Sequence, residues 1–195
     1  AERPLGPLGA AISAGQSGLL ALRTPALKAL GVELLVKYGL EVPTPELLRL
    51  TASKQVSTAV KLQVLRLLAT KTDAPAEVRA ALLAATADGI DAELRIAALK
   101  LLPNIAPEDA LTTAHRFLEG KGFKPAERQA AVDLIATSTL PAATALRSGL
   151  TEKLAQGRLG DSLRLDVHAF AVNSAEPAVK DALRRYLAIT RKPEE

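Results

Sequence analysis

Cysteine is absent from this chain of 195 residues. Its absence excludes a disulfide framework, a thiolate nucleophile, a cysteine-ligated zinc site and a covalently attached c-type haem within these residues. Tryptophan is also absent, and aromatic residues make up only 3% of the sequence. The core must therefore be built from leucine, alanine, valine and isoleucine, which suits closely packed helices better than a ligand pocket walled by aromatic rings.

Strand patterns, long apolar runs and blocks of like charge are missing as well. No segment alternates apolar and polar residues with β-branched enrichment, so the sequence predicts no sheet. The apolar runs are far shorter than the about 20 residues that a membrane helix needs. The 25 basic and 21 acidic residues are interspersed and give a net charge of +4, which is typical of a solvated surface. With 48% hydrophobic residues the chain can bury a sizeable core, and we expect one domain.

A nine-residue pattern recurs five times along the chain and carries one basic residue at its second position in every copy. The basic residues follow one another at intervals of 33, 34, 33 and 36 residues. A period of this length in helix-forming sequence predicts a helical solenoid, in which stacking of neighbouring units supplies the core. The copies are 27–35, 60–68, 94–102, 127–135 and 163–171, and their basic residues are Lys28, Lys61, Arg95, Arg128 and Arg164.

The neighbours of each basic residue predict which way it points. The residues four and seven positions further on are apolar in every copy except at His168, and at about 100° per residue they lie on the same side of the helix as the cation. The cation then lies in the buried arc and needs carbonyls, a carboxylate or a path to the surface. We predict a structural role for all five. The two sets are Val32, Leu65, Leu99, Val132 and His168, and Leu35, Leu68, Leu102, Ile135 and Ala171.

The paired helices and the in-register basic residue of the second helix resemble HEAT repeats. The resemblance covers about residues 24–190. It implies an all-α, right-handed superhelix of about five helix pairs plus a terminal helix, between an atypical cap at 1–23 and a charged tail at 191–195. It also implies an acidic partner in the preceding turn, which would be Asp88 or Asp91 for Arg95 and Asp161 for Arg164. Before Lys61 and Arg128 the turns carry no such acid, and the ladder of ion pairs is not expected there.

Proline and glycine predict where the helices begin and end. Proline at the first helical position and glycine after the last one are the usual boundary residues. The last predicted helix has no second partner, so its apolar face, with Val179 and Leu183, either closes the stack or meets a neighbouring domain. The predicted helices lie at about 25–38, 45–52, 57–70, 75–86, 91–102, 107–119, 125–137, 141–156, 161–173 and 177–189, after a short one from Pro7 to Ser13.

Catalytic and metal-binding patterns do not stand out. His168 replaces an apolar residue of its column, which makes it a candidate base or ligand, with Asp166 nearby in sequence; residues two apart on a helix do not face one another. We therefore favour a partly buried structural histidine. His115 lies in another repeat, and a two-histidine metal site lacks a third ligand. Gly120-Lys121-Gly122 lacks the length and ending of a phosphate-binding loop and is interpreted as a turn. We expect no enzymatic activity, cofactor or metal site.

Two functions remain open. The first is a non-catalytic scaffold that contacts another protein or an adjacent domain, since repeat arrays commonly present extended binding surfaces. The alternative is nucleic-acid binding in a basic groove, as in some HEAT-like proteins. It is weakened because the exposed column of the same helices is mixed in charge and no tryptophan is available to stack on bases. That column runs Glu33, Arg66, Lys100, Asp133 and Ala169.

The stretch 145–167, with the sequence ALRSGLTEKLAQGRLGDSLRLDV, resembles part of large secreted bacterial proteins. In these, a dehydrogenase-like β-propeller is followed by HEAT-type repeats and a c-type haem domain. The resemblance implies an extracytoplasmic module of a larger protein. The chain starts at Ala1 and has no signal-peptide pattern, and we expect it to be a processed or excised piece of a longer protein. Neither propeller nor haem-attachment motifs occur in these residues, so neither activity is implied for them.

Overall fold

The computed structural model describes residues 6–20, 24–38, 41–72 and 75–190. Within these ranges all regular secondary structure is helical, with twelve α-helices, one 3-10 helix and no strand. The predicted all-α class is confirmed. The chain divides into two compact units, 1–101 and 102–195. The boundary falls inside the range 24–190 that the sequence assigns to one repeat domain.

The first unit contains seven helices. They are α1 (Pro7–Ala14), α2 (Gln16–Leu20), α3 (Pro25–Lys37), α4 (Thr44–Ala52), α5 (Thr58–Leu68), α6 (Pro75–Ala85) and α7 (Ala92–Leu101). Helix α2 packs on α3, α4 packs on α5 and α6, and α7 packs on α5 and α6. From α4 onward, helices therefore contact both their sequence neighbour and the helix after it, as in stacked helical pairs.

The second unit opens with the 3-10 helix (Leu102–Asn104) and has five α-helices. They are α8 (Pro107–Glu119), α9 (Pro125–Thr137), α10 (Pro141–Ala155), α11 (Asp161–Asn173) and α12 (Pro177–Thr190). Helix α9 packs on α8 and α11, and α10 packs on α11 and α12. The same pattern of nearest and next-nearest neighbours recurs here.

Proline places the helix starts where the sequence predicts them. Proline is the first residue of α3, α6, α8, α9, α10 and α12, and the second residue of α4. Its fixed φ suits the first turn, and its missing N–H would have no partner there. The observed bounds of the ten predicted helices from α3 onward agree with the predictions to within two residues at each end. Pro103 ends α7 as expected, and the chain continues through the short 3-10 helix.

Glycine makes the turns inside three helix pairs. Gly89, Gly122 and Gly157 adopt positive φ angles of 82°, 94° and 65° between α6 and α7, α8 and α9, and α10 and α11. Residues with a Cβ rarely adopt this conformation. At Gly120 the constraint is space, because an added Cβ would lie 2.7 Å from the carbonyl oxygen of Arg116 and 2.5 Å from the Phe123 ring.

The predicted apolar columns form the cores of the units. The residues seven positions after the in-register cations are fully buried in all five copies. The residues four positions after the cations are buried in every copy except at His168. In the second unit, the rings of Phe117 and Phe123 stack with centroids 4.5 Å apart. The column that contains Leu34, Leu67 and Leu101 is only partly buried or exposed, so it marks the edge of the buried arc.

The apolar face of α12 is covered within its own unit. Val179 is fully buried with Ala171 of α11, and Phe170, Tyr186 and Leu187 pack around them. Of the two alternatives for this face, the structure shows the closing contact with α10 and α11. Across the described ranges, no helix is long and apolar enough to cross a bilayer. The predicted tail at 191–195 and part of the predicted cap, 1–5 and 21–23, lie outside the described residues.

Candidate functional site: the in-register cations and the α4–α6 groove

Arg128 binds the end of the preceding helix. It is half-buried in the first turn of α9, and its Nη2 donates a hydrogen bond to the carbonyl oxygen of Gly120 at 3.1 Å. Gly120 is the C-terminal cap of α8. Carbonyls at a helix C-terminus lack partners inside the helix and carry partial negative charge, so a cation there is favourable. This cation joins the two helices of its pair.

Arg164 contacts the turn that precedes its own helix, and not the end of α10. Its Nε donates to the carbonyl oxygen of Leu159 at 3.4 Å, and its Nη2 lies 3.1 Å from Oδ1 of Asp161. The ion pair that the HEAT resemblance implies for Arg164 is thus present. The side chains of Arg164 and Asp161 are 47% and 89% exposed, and ion pairs in such exposed positions add little stability.

Arg95 is buried in the first turn of α7. Oδ1 of Asp91 accepts a hydrogen bond from the N–H of Glu93 at 2.9 Å and so binds a free donor at the start of this helix.

The side chain of Lys28 lies outside what the structure describes, although its backbone belongs to α3.

Lys61 is half-buried in the first turn of α5 and lines a groove between α4 and α6. The groove has a volume of about 510 Å³ and is mostly apolar. Its floor is formed by Leu65 and Leu94, and alanines of α6 form one wall. Lys54 and Glu77 are its other charged residues. Among the ranges that the structure describes, the side chain of Lys61 makes no hydrogen bond or ion pair.

His168 lies half-buried with its ring edge-on to Tyr186 of α12, centroids 6.0 Å apart. His115 is exposed on α8. No group of three or more histidines, aspartates or glutamates arranged for a metal ion occurs in the described part of the chain. The structure therefore brings no ligand set to either histidine there.

Sequence reasoning missed a partly buried network around Arg147. Its Nη1 donates to the carbonyl oxygens of Ile135 and Ser138, at the end of α9, at 3.0 and 2.8 Å. Its Nε donates to Oε1 of Glu176 at 2.8 Å, and Thr144 also donates to that oxygen, at 3.1 Å. The hydrogen bond from Arg147 lowers the pKa of Glu176, although burial opposes the shift. This network joins α9, α10 and the segment before α12.

No sequence signal identifies this network. Arg147 lies in the middle of α10, outside the in-register column, and Glu176 is 29 residues away. Only the path of the chain between α10 and α12 brings them together.

Comparison with known proteins gives no family for the chain. No family model matches it, and neither a curated protein nor a solved structure matches it significantly.

Proposed function

We propose that this chain is a non-catalytic helical-repeat scaffold of the HEAT type, through which a larger protein contacts another protein or one of its own domains. The observation that carries the proposal is the open apolar groove between α4 and α6. Its volume of about 510 Å³ falls in the range of about 300–1,000 Å³ that binding pockets span. Two helices with small side chains between them form a surface of the kind that accepts a partner's helix.

The hydrogen bonds of three arginines also support a scaffold. Arg128 and Arg147 donate to carbonyls at or just beyond the C-terminal ends of the preceding helices. Arg164 donates to a carbonyl of the turn before its own helix. Charges employed in this way hold helices together and are not presented to a substrate. The repeat period and the buried column support the HEAT type, with a superhelix as the proposed overall form.

The test is selection of binding peptides from a displayed random library by the purified chain. A scaffold is expected to enrich a family of related peptides that bind with micromolar dissociation constants and compete with one another. Filling the groove by Ala84→Phe should abolish this binding, and Ala76→Phe, on an exposed part of α6 outside the groove, should not. Failure to enrich any peptide, or turnover of a small substrate by the chain, would contradict the proposal.

The larger protein is proposed to be a secreted bacterial one, on the strength of the resemblance of residues 145–167. A parent gene that encodes a β-propeller before this chain and a c-type haem motif after it would support this origin. A parent gene with neither of these would contradict it and leave the scaffold proposal untouched.

A further inference from the structure

The side chain of Lys61 differs from those of Arg95, Arg128 and Arg164 in having no hydrogen bond or ion pair within the described residues. Arg128 and Arg164 donate to backbone carbonyls, and Arg95 is buried and engaged. The turn before α5 supplies serines in place of an acid, and both hydroxyls accept backbone hydrogen bonds, Ser57 from Val60 and Ser53 from Gln55. Lys61 is a half-buried residue that lines the groove, and its ammonium group has no ion-pair partner among the described residues.

The groove around Lys61 has an excess of positive charge. Lys54 and Lys61 are its cations and Glu77 is its only carboxylate among the described residues. None of the three makes an ion pair within those ranges. The rest of the lining is leucine, isoleucine, alanine and one threonine. A complementary ligand is therefore apolar over most of its surface and carries a negative charge where it meets Lys61.

We propose that the α4–α6 groove binds a short amphipathic helix of a partner protein that carries an aspartate or glutamate beside its apolar face, with the carboxylate on Lys61. This inference rests on the proposed scaffold function and names its partner chemistry. Ala80, Ala81 and Ala84 leave room for the backbone of a helix to approach, and helix-in-groove recognition uses apolar anchors at i, i+3, i+4 and i+7. Nucleic acid fits this groove poorly for two reasons. Its phosphates would leave the apolar lining uncovered, and its binding requires an array of cations, whereas the groove has two.

The test uses synthetic helical peptides of about 14 residues, which is roughly four turns. All carry the same leucine face and one tryptophan, and they differ in having glutamate, glutamine or lysine at each position flanking that face. Because the chain has no tryptophan, peptide fluorescence reports binding directly. We expect the best glutamate peptide to bind about tenfold more tightly than its glutamine counterpart, an increment typical of a partly desolvated charge pair.

The matched variants are Lys61→Gln and Lys100→Gln, which make the same charge change inside and outside the groove of the first unit. Lys61→Gln should reduce the preference for glutamate to less than about twofold, while Lys100→Gln and Lys61→Arg should keep it. Ala84→Phe should abolish binding of every peptide, which provides a second test if Lys61→Gln proves misfolded by circular dichroism.

Equal affinities for the glutamate and glutamine peptides, or an unchanged preference in Lys61→Gln, would overturn this inference. If the displayed library still enriches groove-binding peptides, the scaffold function survives that result; if it enriches none, both fail. Concentration-dependent dimerisation that disappears in Ala84→Phe would show that a second copy of the chain occupies the groove and would also overturn the inference.

Discussion

The guanidinium of Arg147 on α10 holds the carboxylate of Glu176, at the start of α12, through a hydrogen bond of 2.8 Å from Nε to Oε1. The two side chains are only 12% and 22% exposed. The same guanidinium also donates to two carbonyl oxygens at the end of α9. One arginine therefore fixes three segments of the second unit.

Arg147→Ala should destabilise the second unit by about 3 kcal/mol, because it removes charge-assisted hydrogen bonds and leaves the partly buried Glu176 carboxylate without its cation and two carbonyls at the end of α9 without this donor. Urea unfolding followed by circular dichroism measures the change. Arg185→Ala is the matched control, since it breaks an exposed pair with Glu152 between the same two helices, α10 and α12. That loss should be about 1 kcal/mol or less. Equal losses in both variants would refute the role assigned to Arg147.

The stability of the second unit should depend on pH through Glu176. Arg147 holds the pKa of Glu176 in the folded state below its ordinary value of 4.5. The ionised carboxylate therefore contributes stability at pH values above 4.5, and this contribution is lost as the pH falls through the lowered pKa.

The measurement is the free energy of unfolding of wild type and Glu176→Gln from neutral pH to about pH 3. Wild type should be more stable at neutral pH, and the difference should shrink in acid. The same substitution at Glu119, Glu119→Gln, serves as a control. The pKa of Glu119 is also lowered, by the hydrogen bond from Lys153, but both side chains are substantially exposed. A difference for Glu176→Gln that is constant across this pH range would contradict the assignment.

Gly120→Ala should destabilise the α8–α9 turn by about 1–3 kcal/mol, as overpacking typically does. The added Cβ would meet the carbonyl oxygen of Arg116, which belongs to the backbone of α8 and cannot rotate away. Gly149→Ala is the control, because a Cβ there meets nothing within 4 Å and alanine favours a helix. A thermal melt that shows no loss for Gly120→Ala would mean that the turn relaxes freely.

The alternative function, nucleic-acid binding, makes a separate prediction. Phosphate-driven affinity rises steeply as salt is lowered. If the described cations at helix ends are structural, duplex DNA and single-stranded RNA should show no mobility shift with the chain at low salt. A shift that disappears with added salt would favour the basic-groove interpretation over the scaffold.

Local chemistry explains how much of this fold the sequence could predict. The helix starts were predictable because proline at the first position is a local signal, as at Pro107 and Pro125. The buried column was predictable because helical periodicity places residues such as Leu68 and Ile135 on the cation's side of the helix. Both signals lie within a few residues of the feature they predict.

The candidate site could be predicted only in part. Lys61 did not stand out in the sequence, because the same structural role was predicted for all five cations and the acid is missing before Arg128 as well. Its position at a groove depends on how α4 and α6 pack. The contact between Arg147 and Glu176 depends on tertiary packing across 29 residues. The boundary between Leu101 and Leu102 likewise follows from which helices touch, and the sequence analysis did not predict it.

The central claim is that equivalent positions of the repeat serve two purposes, with Arg128 holding its helix pair together and Lys61 kept available for a partner. Hydrogen exchange of Lys61→Gln and Arg128→Gln, read on α5 and α9 respectively, tests it most directly. Arg128→Gln should lower protection in α9 by about 1–2 kcal/mol, the value of a charge-assisted hydrogen bond. Lys61→Gln should leave protection in α5 unchanged to within about 0.5 kcal/mol, since the side chain of Lys61 has no hydrogen bond or ion pair to lose within the described residues and the helix start disfavours a cation. Equal losses at the two positions would contradict the claim.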